Sequence, residues 1–152
     1  MNKTIIIGSG FCSAVLTKVL NQNSNLLIFD KSRGPGGRSS TRRVDNVGFF
    51  DHGLQYISPS TKEFDLFLNQ YLKSSIKEWS GDFYCFEDGK AMDSKKYIGK
   101  LGNNCFVKDL VATKVEYLKE LVTIDRKNNK WILQFKDKEV QECERLILTI
   151  PL

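Results

Sequence analysis

The period of apolar and polar positions changes several times along the chain, and each change marks an element. Residues 4–7, TIII, are β-branched and apolar with no polar break, as in a strand covered on both faces. The GSG that follows interrupts this run, and FCSAVLTKVLNQ then places its apolar residues on one helical face. After the NQNSN turn, residues 26–30, LLIFD, form a second buried run. The first thirty residues thus predict a βαβ unit with a parallel strand pair and a right-handed crossover.

The pattern then loosens. VGFFDHGLQYISPS is studded with glycine and reads as irregular chain, and a long amphipathic helix is expected from about Thr61. Phe64, Phe67, Leu68, Tyr71, Leu72, Ile76 and Trp79 recur at three- and four-residue steps, the signature of one core-facing stripe. Ser60 and Glu63 have the spacing of a capping box. DFYCFEDGKAMDSKKYI reads as a hairpin turning at Asp88-Gly89, and CFVKDLVA as a short helix. KVEYL, LVTIDR and KWILQF predict an antiparallel meander. RLILTIPL, bounded by Pro151, suits a fully buried parallel strand.

These elements predict an α/β protein of the Rossmann-like type with an antiparallel β-meander. No internal repeat or low-complexity linker breaks residues 1–152, which read as one nucleotide-binding domain. No helix is expected after the last strand, so the chain reads as a fragment, the N-terminal part of a longer protein.

Composition narrows the chemistry only a little. A hydrophobic fraction of 41% and a charged fraction of 27% are ordinary for a globular domain. The net charge of +5, from 23 basic and 18 acidic residues, favours anionic ligands, for which the phosphates of a small cofactor suffice. Aromatic and basic residues are not interleaved as on a nucleic-acid platform, so no nucleic-acid partner is expected. Cys12, Cys85, Cys105 and Cys143 lie far apart with only His52 as imidazole, so no metal site is expected and the thiols read as reduced. Without a visible signal peptide or spanning segment, the expectation is a cytoplasmic protein with no membrane partner.

Against this background G-S-G-F-C-S, residues 8–13, stands out. It follows a strand, opens a helix and precedes an acid, Asp30, at a strand end about twenty residues on, which is the dinucleotide fingerprint. Gly8 permits the tight turn, Gly10 lets the backbone approach a pyrophosphate, and Ser13 fills the third glycine position with a small side chain. Asp30 is suited to the ribose hydroxyls of an adenosine. Cys12 is expected to pack its side chain while its backbone faces the cofactor. His52 has no sequence-evident acid–base partner beyond Asp51, and it is read as non-catalytic.

Directly after Asp30 comes K-S-R-G-P-G-G-R-S-S-T, residues 31–41. It resembles the second nucleotide-binding signature of the flavin amine oxidase superfamily. FFDHGLQYIS, KNNKWIL and LILTIPL are similar, in order, to segments of its renalase-like oxidoreductases, with Leu54 in place of a usual alanine. The resemblance implies FAD as the cofactor. It places Gly8, Gly10 and the backbone of Cys12 at the pyrophosphate, Asp30 at the ribose and Lys31 nearby. Gly37 and Arg38 would close over the phosphates, Gln55 and Tyr56 would sit on the loop nearest the flavin ring, and the backbone near Leu121 would meet the adenine edge. Residues from about 57 to 105 would belong to the start of a substrate domain. The implied reaction is hydride transfer from a small-molecule substrate, a reduced NAD(P)H-like dinucleotide or an amine, to FAD, with reoxidation by oxygen. A dinucleotide-binding module with no turnover of its own is the alternative, and no catalytic residue is assigned. A plain NAD-dependent dehydrogenase fits less well, since its site has no need of G-P-G-G-R.

Overall fold

The computed structural model describes residues 2–20, 25–92 and 95–150. Its centre is the predicted βαβ unit: β1 (Lys3–Ile7), α1 (Phe11–Leu20) and β2 (Asn25–Phe29). The strands pair in parallel, from Lys3 with Asn25 to Ile7 with Phe29. Most of the NQNSN turn lies outside the described residues. Two further strands, β7 (Val115–Glu116) and β11 (Arg145–Leu148), complete a parallel sheet of order β11-β1-β2-β7.

Alternation along β1 divides the core between the two sheet faces. Ile6, Leu26 and Ile28 point toward α1, where Leu16 and Leu20 pack on them. Ile5, Ile7 and Phe29 point the other way, onto Leu133, Phe135 and Cys143. That second layer is the antiparallel meander of β8 (Leu121–Lys127), β9 (Lys130–Phe135) and β10 (Val140–Cys143). Asn128 and Asn129 at φ 51° and 61° turn β8 into β9 with the positive φ pair that a two-residue hairpin demands. The Phe29 and Phe135 rings, 4.8 Å apart, join the layers.

Two strand expectations are corrected. KVEYL does not open the meander: Val115 and Glu116 pair in parallel with Ile28 and Phe29, extending the central sheet. A short run cannot reveal which strand it will meet. RLILTIPL does supply the predicted parallel neighbour of β1, but its strand is not fully buried. Arg145 and Leu148 are exposed because β11 is an edge of the sheet. Pro151 lies outside the described residues.

The segment between the two halves of the sheet builds its own core of Leu68, Leu72, Ile76, Tyr97, Phe106, Val107 and Leu110 against Ala14 of α1. Here the expected long helix is shorter. α2 (Lys62–Leu72) is capped by Thr61, whose hydroxyl accepts from the Phe64 N–H at 3.2 Å, so the cap lies one residue beyond Ser60. Ile76 belongs instead to β5 (Ile76–Glu78), paired antiparallel with β6 (Tyr97–Gly99). The chain turns at Asp88-Gly89, with Gly89 at φ 66° and Cys85 N–H donating to Lys90 O at 2.8 Å. The closure spans four residues and an isolated bridge from Tyr84 to Ala91, not a regular hairpin. Residues 93–94 lie outside the described set. The glycine-studded stretch is more regular than expected: β3 (Thr41–Val44) and β4 (Gly48–Asp51) form a ribbon closed by three residues, with Asn46 at φ 61°. The short helix α3 (Cys105–Lys108) forms as expected.

Candidate functional site

The site is assembled where β1, β2 and the end of β11 deliver their following loops. Gly8, at φ 105°, turns the chain out of β1 and donates its N–H to Phe29 O at 2.8 Å. A Cβ there would lie 2.7 Å from Thr149 Oγ1 and 3.2 Å from Ile150 Cγ2, so glycine is required by space as well as by angle. Gly10 differs: nothing lies within 4 Å of where its Cβ would be. Beneath the turn, Ser13 is fully buried and donates its hydroxyl to Gly10 O at 2.8 Å. Helix α1 then begins, and its first N–H groups have no intrahelical acceptor and concentrate positive potential at the turn.

Asp30 closes the second side. Its carboxylate accepts from Ser9 N at 2.5 Å, from Ser32 N at 2.7 Å and from Ser32 Oγ at 2.5 Å. Partial burial pushes its pKa up, but the bonds from Ser32 and Ser9 outweigh this and hold the carboxyl below its usual value of 3.8. The strand end is fixed from outside by Asp30 N–H donating to Glu116 O and Lys119 N–H donating to Asp30 O, both at 2.9 Å. Displaced β7 is therefore part of the site: it carries the chain past Asp30 toward Lys119, Glu120 and Leu121.

The G-P-G-G-R loop folds back over the first glycine turn. Gly36 N–H donates to Ser9 O at 3.3 Å, and a Cβ on Gly37 would sit 3.4 Å from the Cα of Gly10. The two glycine motifs thus meet backbone to backbone. Arg38 is exposed, and its guanidinium has no hydrogen-bond or ion-pair partner among the described residues.

Between these parts lies a cavity of about 1080 Å³. Of the residues singled out from sequence, Gly8, Gly10, Cys12, Asp30, Lys31, Gly37, Arg38, Tyr56 and Leu121 line it. Ser13 lies under the floor. Gln55 stands apart, because an extended chain alternates its sides: Leu54 and Tyr56 face the cavity, whereas Gln55 lines a separate pocket of about 230 Å³ with Phe49, Lys77, Trp79 and Lys100. One wall is apolar, with Phe11, Leu54, Ile57 and Phe64, the Phe11 and Phe64 rings meeting edge to face at 6.3 Å. Elsewhere the lining is polar, with Asp30, Lys31, Lys119 and Glu120. Lys119 is held by Asp137 and Glu139, whose hydrogen bonds raise its pKa and whose charges offset its own. His52 lies outside the lining, exposed, with Nε2 3.2 Å from Ser40 Oγ.

Several residues that shape the site were not singled out from sequence. Gly53 lets its loop touch the Arg38 carbonyl, where a Cβ would come within 2.1 Å of the oxygen. Asn103 is buried behind that loop and bonded to it. The glycine in FFDHGLQY was a signal for the first. Nothing local signals the second, whose partners lie about fifty positions away.

Residues 6–71 match the model of the NAD(P)-binding Rossmann-like domain. Solved structures share the fold over nearly the whole chain at low identity. A CLA-producing fatty acid isomerase from P. acnes is similar at 12% identity and a TM-score of 0.74, covering 99% of this chain and 59% of that one. A candidate FAD-containing monooxygenase from Photorhabdus luminescens subsp. laumondii TTO1 is similar at 14% and 0.63, covering 97% and 39%. The 2,6-dihydroxypyridine-3-hydroxylase from Arthrobacter nicotinovorans is similar at 12% and 0.59, covering 95% and 36%. The chain therefore spans between about one third and three fifths of the length of the chains it matches. No helix among the described residues is long and apolar enough to cross a membrane.

Proposed function

We propose that this chain is the nucleotide-binding part of an FAD-dependent oxidoreductase. The observation that carries the reading is the meeting of Gly10 and Gly37 at the cavity, with the α1 N-terminus on one side and Arg38 on the other. The cavity volume is at the upper end of small-molecule sites, roughly 300–1,000 Å³, as suits a dinucleotide. The residues fit the group: bare backbone and positive potential for a pyrophosphate, a carboxylate for a ribose, an apolar wall for a flat ring. Bound there, FAD supplies two-electron redox chemistry, accepting a hydride from an organic donor.

On this reading each part of the lining has a role. The α1 N–H groups and the Arg38 fork hold phosphate oxygens. Asp30 keeps lone pairs for hydroxyl donors beyond the three bonds that orient it. Phe11, Leu54, Ile57 and Phe64 exclude water from their side. The resemblance to renalase-like oxidoreductases supports a donor that is a reduced nicotinamide dinucleotide or an amine, with oxygen as the final acceptor. On that reading residues from about 57 to 105 begin the substrate domain. A second reading, a dinucleotide-binding module with no turnover of its own, is supported by the match of residues 6–71 to the NAD(P)-binding Rossmann-like domain, whose description names binding alone.

The test is direct. Purified chain should be yellow, or take up added FAD stoichiometrically by calorimetry and quenching of flavin fluorescence. A colourless chain that takes up none refutes the proposal. Flavin bound without reduction by any nicotinamide or amine donor favours the module reading.

A further inference from the structure

Behind the cavity, outside its lining, one residue connects the end of β4, the loop after it and the end of β6. Asn103 is fully buried, and both polar atoms of its amide are hydrogen-bonded. Nδ2 donates to the carbonyls of Leu54 at 2.7 Å and Gln55 at 2.9 Å, and Oδ1 accepts from Gly99 N at the end of β6 at 2.7 Å. Its own N–H donates to Asp51 Oδ1 at 2.9 Å, at the end of β4. A short planar group with two donors on one side and an acceptor on the other is found only in a primary amide. The gripped loop carries Leu54 and Tyr56 into the cavity. On its far side, Leu54 N–H donates to Arg38 O at 2.8 Å, and Gly53 is packed against the same oxygen. A continuous path of hydrogen bonds therefore runs from β6 through Asn103 and residues 54–55 to the Gly37-Arg38 loop.

We infer that Asn103 is a positioning residue for the nucleotide cavity. It sets the distance of the Leu54–Tyr56 wall and, through the Arg38 carbonyl, the closure of the second glycine motif. The inference rests on the nucleotide reading of the cavity. Its physical basis is that two carbonyls and an N–H inside the protein would lose their partner together if Asn103 were truncated, so the loop would move to find others.

Two measurements test this. In the isotopically labelled natural chain, added FAD should shift the backbone amides of Gly10 and Gly37, which report occupancy, and also the side-chain amide of Asn103, which does not line the cavity. Asn103→Asp then supplies a readout that loss of packing would not move. Protonated, the carboxyl can still donate to one of the two carbonyls; ionised, it faces both with like charge. FAD affinity of this variant should fall tenfold or more as pH rises through the carboxyl's titration, relative to the natural chain. The near-UV signal of Trp79, whose ring lies 5.9 Å from Tyr56, should follow the same curve without FAD. If Gly10 and Gly37 shift and Asn103 does not, or the variant binds as the natural chain does at every pH, the inference is overturned and the nucleotide reading stands. If Gly10 and Gly37 do not shift, the nucleotide reading fails and takes the inference with it. If the variant does not fold at any pH, the Asn103 resonance of the natural chain decides alone.

Discussion

Gly8 and Gly10 lie two residues apart in one turn, yet alanine should act on them through different physics. At Gly10 the backbone is outside the left-handed region and nothing lies within 4 Å of a new Cβ. The folded chain therefore accepts Gly10→Ala without strain, and the lost freedom of the unfolded chain should leave stability unchanged or raise it by about 0.4–1 kcal/mol. The methyl group would, however, occupy the place where a pyrophosphate meets the helix N–H groups. Losing one hydrogen bond to a charged group costs about 1.5–3 kcal/mol, roughly a ten- to hundred-fold loss of affinity. At Gly8, φ is 105° and the new Cβ meets Thr149 Oγ1 at 2.7 Å, an atom already donating to Ile7 O and shared with Gly8 O. Gly8→Ala should cost about 1–3 kcal/mol of stability whether or not nucleotide is present. Urea denaturation reads the first quantity and FAD titration the second. A Gly10→Ala chain of normal stability that binds FAD as tightly as the natural one would refute the placement of the pyrophosphate. A Gly10→Ala chain destabilised by more than about 1 kcal/mol would refute the claim of open space.

Other perturbations test the remaining parts of the site. Arg38→Ala should weaken FAD binding by about 1–3 kcal/mol with little change in denaturation midpoint, since the guanidinium makes no bond within the described protein; an equal loss of stability would show that it holds the loop and not the ligand. The Asp30 carboxyl has its folded pKa held below the unfolded one, so its contribution is fully present above about pH 4 and is lost as pH falls through the folded value. Stability of the natural chain should fall more steeply than that of Asp30→Asn in that acid window, and parallel curves would count against the bonds to Ser9 and Ser32. Among the thiols, exposed Cys12 lines the cavity, whereas burial, with help from Asp109 and Asp51, pushes Cys105 up to about 11. At neutral pH a thiol reagent should label Cys12 well before Cys105, and bound FAD should slow only the first.

The sequence was most legible where the structure is local. The βαβ unit follows from a short apolar run, a glycine turn and a helical stripe, and all its partners lie within thirty positions. The glycine fingerprint with Asp30 was readable for the same reason. The failures share one cause. Val115 and Glu116 look like any short strand, and only the waiting edge of β2 makes them part of the parallel sheet. The stripe from Phe64 to Trp79 keeps helical spacing past Leu72, but Ile76 is claimed by pairing with Gly99 in β6. The resemblance assigns Gln55 and Tyr56 together to the loop nearest the flavin ring, whereas extended chain sends the two side chains to opposite sides. Asn103 was invisible because its meaning lies in carbonyls of a distant loop.

The sheet order also sets a timetable. β1 leaves the ribosome before the other strands of its sheet, yet one of its two neighbours is β11, and the contact from Lys3 to Glu144 spans 141 positions. At about 5–20 residues per second, translation takes roughly 7–28 s to bridge that distance. Throughout this interval a strand buried along four of its five residues has an unpaired edge and lacks the meander that covers one of its faces. Newly made chains should therefore depend on chaperones far longer than the size of the domain would suggest.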